Sequence, residues 1–205
     1  MEPSTLIDWG VARRTLAGER ESGDLHLVQQ VRGGVLVSVV DGLGHGAEAA
    51  AAARAAVAAL QRHAEESVLL LLERCHQALH GTRGVVMSVA LFADAERSMT
   101  WLGVGNVEGM LLYAGRSGRR ARSTLITRGG IVGAQLPRLR AEVISLARGD
   151  MLIFATDGIK SGFTDGLPAG AAPQQLADHI LANHNKGTDD ALVLVARYTG
   201  AGAYR

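Results

Sequence analysis

Two apolar runs, VVMSVALFA and SMTWLGVG, are separated by only the four residues Asp94 to Arg97. Strands joined that closely must pair antiparallel, because a parallel partner needs a crossover of about a dozen residues or more. Similar short runs rich in Val, Leu, Ile and Met, bounded by glycine or charge, recur as DLHLVQQV, VLVSVV, EGMLLYA, DMLIFAT and ALVLVARY. The one long interruption is AEAAAAARAAVAALQRHAEESVLLLLERCHQALHG, whose alanine, leucine, glutamate and arginine content predicts two helices joined near Glu65 to Ser67. A third helix is predicted in APQQLADHILANHN, with Pro173 near its start. The expected fold class is therefore α+β, with two antiparallel sheets and the helices outside them.

The chain has 205 residues, 47% of them hydrophobic, enough for a substantial core, and its length fits one domain spanning 1–205. Its formal charge of +1 offers no global field for nucleic acid or an anionic membrane. The basic stretch GRSGRRARS, Gly115 to Ser123, is read as a solvated hairpin loop, since no aromatic interleaves with its arginines for base stacking. LPAGAAP, Leu167 to Pro173, is read as a loop rather than a linker. Cys75, the lone cysteine, falls in a helical apolar pattern and is read as a packed residue rather than a nucleophile. MEPSTLIDWG lacks a basic region followed by an apolar stretch, and no run approaches the ~18 apolar residues needed to span a bilayer. A cytoplasmic protein without a membrane or nucleic-acid partner is expected.

Four places set aspartate beside glycine or another aspartate next to an apolar strand: SGD at Asp24, VVDGLGHG at Asp41, IFATDGIKSG at Asp157, and GTDDALVLV at Asp189 and Asp190. Singly, each has an ordinary explanation as a turn or a cap. Together they point to convergence, because strands of one sheet carry their ends to a common edge even when far apart in sequence. Gathered carboxylates repel and cost free energy to desolvate, so they must take up protons or bind a cation. Oxygen donors without a cysteine or histidine cluster suit magnesium or manganese. Gly42 and Gly158 would let backbone approach closely, with the Gly42 carbonyl a further donor, and Gly44 and Gly46 would turn the chain into the alanine-rich helix, where Glu48 favours the first turn.

SGD, VVDGLGHG, GVGNVEG, GGIVG, ATDGI and TDDALVLVAR occur in the order found in metal-dependent protein serine/threonine phosphatases of the PPM type, and the chain resembles their compact SpoIIE-like branch from about Asp24 to Arg197. Its short length without a sensor domain is similar to the RsbX-type stressosome phosphatases within that branch. The resemblance implies an α/β/β/α sandwich and a centre of two Mn2+ or Mg2+ ions. By position, it implies Asp41 as bridging carboxylate with the Gly42 carbonyl, Asp24 and Asp157 as further ligands, and Asp189 and Asp190 as the terminal acid pair, the second being the better candidate for a neighbour of the ligands. As substrates it implies phosphorylated STAS-domain stressosome proteins of the RsbR and RsbS kind; a monomer is expected.

The larger members carry a histidine two residues after the bridging aspartate, where this chain has Leu43. His45 is either a substitute general acid or simply a residue at the helix start, with a metal-held water as the other proton source. Leu192 stands where relatives often have threonine, and the chain is too short for the large flap and third-metal elements of some relatives. Two other functions fit the same sequence: a phosphatase acting on a phosphorylated anti-sigma-factor antagonist, and a non-catalytic phosphatase-like binding module.

Overall fold

The computed structural model describes residues 6–115 and 122–200. Ten strands form two antiparallel five-stranded sheets. One contains β2 (Asp24–Val31), β3 (Gly34–Gly42), β4 (Val85–Ala93), β5 (Ser98–Val104) and β8 (Glu142–Ser145), in that spatial order. The other runs β1 (Ile7–Arg14), β10 (Ala191–Tyr198), β9 (Met151–Ala155), β6 (Glu108–Leu112) and β7 (Arg122–Leu125). Helices α1 (Gly46–Arg62) and α2 (Val68–Ala78) cover the first sheet, and α3 (Pro173–His184) covers β1 and β10 of the second.

The strands that read as unbroken apolar runs are those buried on both faces. On β3, Val35, Val37 and Val39 point between the sheets, where they meet Phe92, Trp101, Phe154 and Leu194. Leu36 and Val40 point the other way, toward Ala52, Ala56 and Leu60 of α1 and Leu71 and Leu72 of α2. β10 repeats the arrangement: Leu192 and Leu194 face the inter-sheet core, while Val193 and Val195 pack with Leu176, Ala177 and Ile180 of α3. Antiparallel sheets commonly leave one face to solvent and alternate accordingly. Helices remove that open face here, and with it the alternation.

Both helical predictions hold. Ser67 caps α2, its hydroxyl oxygen accepting the Leu70 N–H at 3.4 Å. Pro173 opens α3, and Gln175 accepts the Ala172 N–H at 3.0 Å, the half of a capping box that an alanine at the N-cap still permits. Burial of α2 is large for its length, since Leu71, Leu72 and Cys75 are wholly enclosed; each leucine contributes roughly 1.5–3 kcal/mol of transfer free energy. Cys75 donates to the Ala56 carbonyl at 3.6 Å, and burial pushes its thiol up to about 12, so it packs and does not react.

Three strands escape the sequence reading: β1, β7 and β8. All three are edge strands, and none has a continuous apolar run. β1 exposes Asp8 and Trp9, and β8 buries none of its four residues. The basic stretch Gly115 to Ser123 is also corrected at one end, since Arg122 and Ser123 already belong to β7, paired with Leu112 and Leu111. The rest of that loop, residues 116–121, lies outside the described residues. Leu167 to Ala172 is a loop, as expected. Among the described residues no helix is long and apolar enough to cross a membrane.

Candidate metal centre

The acids separated by most of the chain are brought to one end of the sandwich. Asp24 opens β2 and lies directly opposite Asp41, the penultimate residue of β3, in the antiparallel register. On the facing sheet, β9 ends at Ala155, two residues before Asp157, and its partner β10 begins immediately after Asp189 and Asp190. One sheet thus supplies two carboxylates and the other three.

Cross-links between the sheets fix this end. The Thr156 hydroxyl donates to Asp24 Oδ2 at 2.7 Å and accepts the Leu192 N–H at 2.9 Å, so one buried side chain ties the first sheet's acid to the second sheet's backbone. Asn106 donates to Asp157 Oδ2 at 2.9 Å, and the Lys186 ammonium donates to the Asp157 carbonyl at 2.5 Å. A second strut joins the acid-bearing loops, where the Lys186 N–H donates to the Gly158 carbonyl at 2.8 Å.

Both glycines next to the acids are required by close approach. A Cβ on Gly42 would stand 2.2 Å from the Ala49 carbonyl oxygen of α1, and one on Gly158 would stand 1.9 Å from the Asp190 carbonyl oxygen. Gly44 (φ +84°) and Gly46 (φ +76°) then make the turn into α1 in a backbone region that side-chain-bearing residues avoid. Glu48 occupies the first turn of α1, as expected, and pairs there with Arg83 at 2.5 Å.

The electrostatics are those of carboxylates forced together. Enclosure by protein on most sides pushes Asp41 up to about 9, and the charges of Asp24, Asp157, Asp189 and Asp190 push in the same direction. Burial raises Asp24 to about 7 against the lowering effect of the Thr156 hydrogen bond, with Asp190, Asp157 and Asp189 adding to the rise. Asp41 therefore feels all four other members of the predicted set, and Asp24 feels the three from the facing sheet. Among the described residues, no three His, Cys, Asp or Glu side chains already close around a single ion. The donor set nevertheless fits hard divalent cations: all oxygen, strongly anionic, and held in protonation states that a cation would displace.

His45 is the N-cap residue of α1, and its side chain makes no capping hydrogen bond. Its Nδ1 lies 2.6 Å from Glu19 Oε1 in an exposed contact. Among the described residues, no hydrogen bond links His45 to any of the five acids. Leu43, at the position where larger relatives carry histidine, packs against the inter-sheet core, and Leu192 is buried within it. Sequence reasoning gave no role to Thr156, Lys186 or Asn106. Thr156 and Asn106 both lie inside motifs that stood out, ATDGI and GVGNVEG, whereas Lys186 had no signal.

Two antiparallel sheets stacked between helices are the fold shared with PPM-type phosphatases of known structure. The chain belongs to the SpoIIE family: the family described as Stage II sporulation protein E (SpoIIE) matches residues 32–199. That span holds every predicted acid except Asp24, which lies ahead of it. The chain is 23% identical over 181 residues to the phosphoserine phosphatase RsbX of Bacillus subtilis (strain 168), covering 88% of this chain and 89% of that one. It superposes with a TM-score of 0.84 on RsbX in complex with magnesium, at 21% identity over 94% of this chain and 96% of the other. A TM-score of 0.84 is also reached with a chain from a structure described as the bacterial stressosome, a modular system adapted to control secondary messenger signaling, at 29% identity over 93% of this chain and 99% of that one.

Proposed function

We propose that this chain is a metal-dependent protein serine/threonine phosphatase that dephosphorylates STAS-domain proteins of a stressosome, of the RsbR and RsbS kind. The observation that carries the reading is the meeting of acids from two sheets, with Asp24 and Asp41 driven far above ordinary carboxylate values by enclosure and mutual repulsion. Family membership and the likeness to RsbX and to a stressosome chain support the substrate class.

In this reading Asp24, Asp41 with the Gly42 carbonyl, Asp157 and Asp189 hold two Mn2+ or Mg2+ ions. Bound there, the ions supply Lewis-acid activation of water and offset the charge of the phosphoryl oxygens. Thr156 keeps Asp24 facing the cleft, and Asn106 sets the orientation of the Asp157 carboxylate. No nucleophilic side chain is needed: phosphoserine and water give serine and phosphate, water supplying the oxygen at phosphorus. The serine oxygen receives its proton from water, since His45 is turned to Glu19. All five acids come from one chain, so a monomer suffices to assemble the centre, and the cytoplasm is the compartment this reading assigns to it.

The test is to incubate the purified protein with phosphorylated STAS-domain proteins, with and without manganese, and to map the phosphates lost. Loss of specific phosphoserine or phosphothreonine sites only with the metal is expected. Intact phosphoproteins in the presence of manganese, or robust turnover after exhaustive chelation, would reject the reading.

A further inference from the structure

The helices leave part of the second sheet open. α3 covers β1 and β10, whereas the outer face of β6 and β7 floors a cleft of about 590 Å³. Alternation sets that floor. Val107, Leu111 and Leu125 point into the inter-sheet core, so Glu108 and Met110 point outward, as do Thr124 and Ile126 across the hairpin. The facing wall is the Gly162 to Asp165 segment, and Arg122 ties floor to wall, donating to the Thr164 hydroxyl at 3.0 Å and to the Asp165 carboxylate.

The cleft begins at the metal centre. Asn106, which lines it, is the residue that donates to Asp157 Oδ2 at 2.9 Å, and Glu108 lies opposite Ala155, two residues ahead of Asp157. The volume falls in the range of ligand clefts, roughly 300–1,000 Å³, and exceeds what a phosphoryl group fills. Two features of the lining suit a polypeptide. Ile126 is 76% exposed, the most exposed large apolar side chain among the described residues. Glu108 is exposed, and its carboxylate makes no hydrogen bond or ion pair among the described residues.

We propose that this cleft receives the polypeptide flanking the phosphoserine, selecting an apolar side chain against Ile126 and Met110 and a lysine or arginine against Glu108. The inference rests on the phosphatase reading above. This chain needs four residues to run from Asn106 to Met110, so an extended substrate segment lying along β6 needs about the same. Covering Ile126 removes apolar area from water and supplies affinity. The pairing with Glu108 supplies selectivity, because an acidic segment would be repelled there.

A set of phosphoserine peptides tests this, with leucine or alanine, and lysine or glutamate, placed within four residues of the phosphoserine on either side. With manganese, the wild type should favour the leucine and lysine peptide over the alanine and glutamate peptide by at least about tenfold in kcat/KM, through KM. Ile126→Asp should erase the preference for leucine, and Glu108→Lys should turn the preference for lysine into one for glutamate. Each variant is compared with its own hydrolysis of p-nitrophenyl phosphate, which has no flanking chain to dock, so loss of docking is told apart from loss of chemistry. Equal treatment of all peptides by the wild type, wild-type preferences in both variants, or an equal fall on peptide and ester would overturn the proposal. So would dissociation of a wild-type dimer by Ile126→Asp, which would make this face a contact between copies. Peptide affinity, read by fluorescence anisotropy with magnesium present, should follow the same order whether or not phosphate is released. Ordered binding with no turnover of ester or peptide would sink the phosphatase reading and leave the selectivity of the cleft standing.

Discussion

The middle of the sandwich and its acidic end are made by the same strands under opposite rules. From Val35 to Val40 every side chain of β3 is enclosed, and all but Ser38 are apolar; the next residue is Asp41. In the middle, tight enclosure stabilises, because apolar area leaves water. At the end, the same enclosure raises the free energy of charged groups, a cost that a bound cation would offset on the reading proposed above. A single residue step along β3 therefore separates a region optimised for stability from one that gives some up.

The largest expected effect comes from the acidic end. Asp41→Asn should lower phosphatase activity by more than about 100-fold, since removing an ion-holding carboxylate exceeds the loss typical of an outer partner. Folding should survive, and the metal-free variant should melt no lower than the metal-free wild type, because an enclosed, repelled carboxyl has been replaced by a neutral group. A fully active variant would break the comparison at its root. The converse change is Leu194→Ala in the inter-sheet core, which should cost about 2–5 kcal/mol in denaturant unfolding while the folded protein keeps its magnesium affinity. Equal damage to stability and to magnesium binding would show that the two regions are not separable.

A smaller effect is expected with pH in the presence of chelator. Asp24 and Asp41 have folded-state values of about 7 and about 9 against 3.8 for an aspartate carboxyl in water. The folded state therefore binds more protons than the unfolded one between those limits, and stability must fall as pH rises. The metal-free protein should lose stability from about pH 4 upward, through the folded-state values of both acids, with no further loss from this source above pH 9. Saturating magnesium should flatten that slope, as melting temperatures across the range would show. A metal-free protein that gains stability toward pH 9 would contradict the crowding of the acids.

What the sequence disclosed follows the same division. β3 and β10 were legible because burial on both faces leaves a continuous apolar run, and the hairpin of β4 and β5 because only a short polar link separates two such runs. β1, β7 and β8 were not, because an edge strand is held by main-chain pairing along one side and needs no apolar side chains to form. At the site, the acids were legible from their place beside glycine at strand ends, and Gly42 and Gly158 proved to be set by close backbone contacts. The supports were not: Thr156, Asn106 and Lys186 each act through one or two directed hydrogen bonds, which leave no periodic trace.

The pairing of β1 with β10, from Ile7 opposite Tyr198 to Arg14 opposite Ala191, also dictates when the second sheet can close. Among the described strands β10 is made after all the others and fills the gap between β1 and β9, so β1 waits for its partner while residues 15–190 are translated. Asp189 and Asp190 emerge just ahead of β10. A nascent chain interrupted before that point lacks two of the five gathered acids, and on the metal-centre reading proposed above its centre is incomplete.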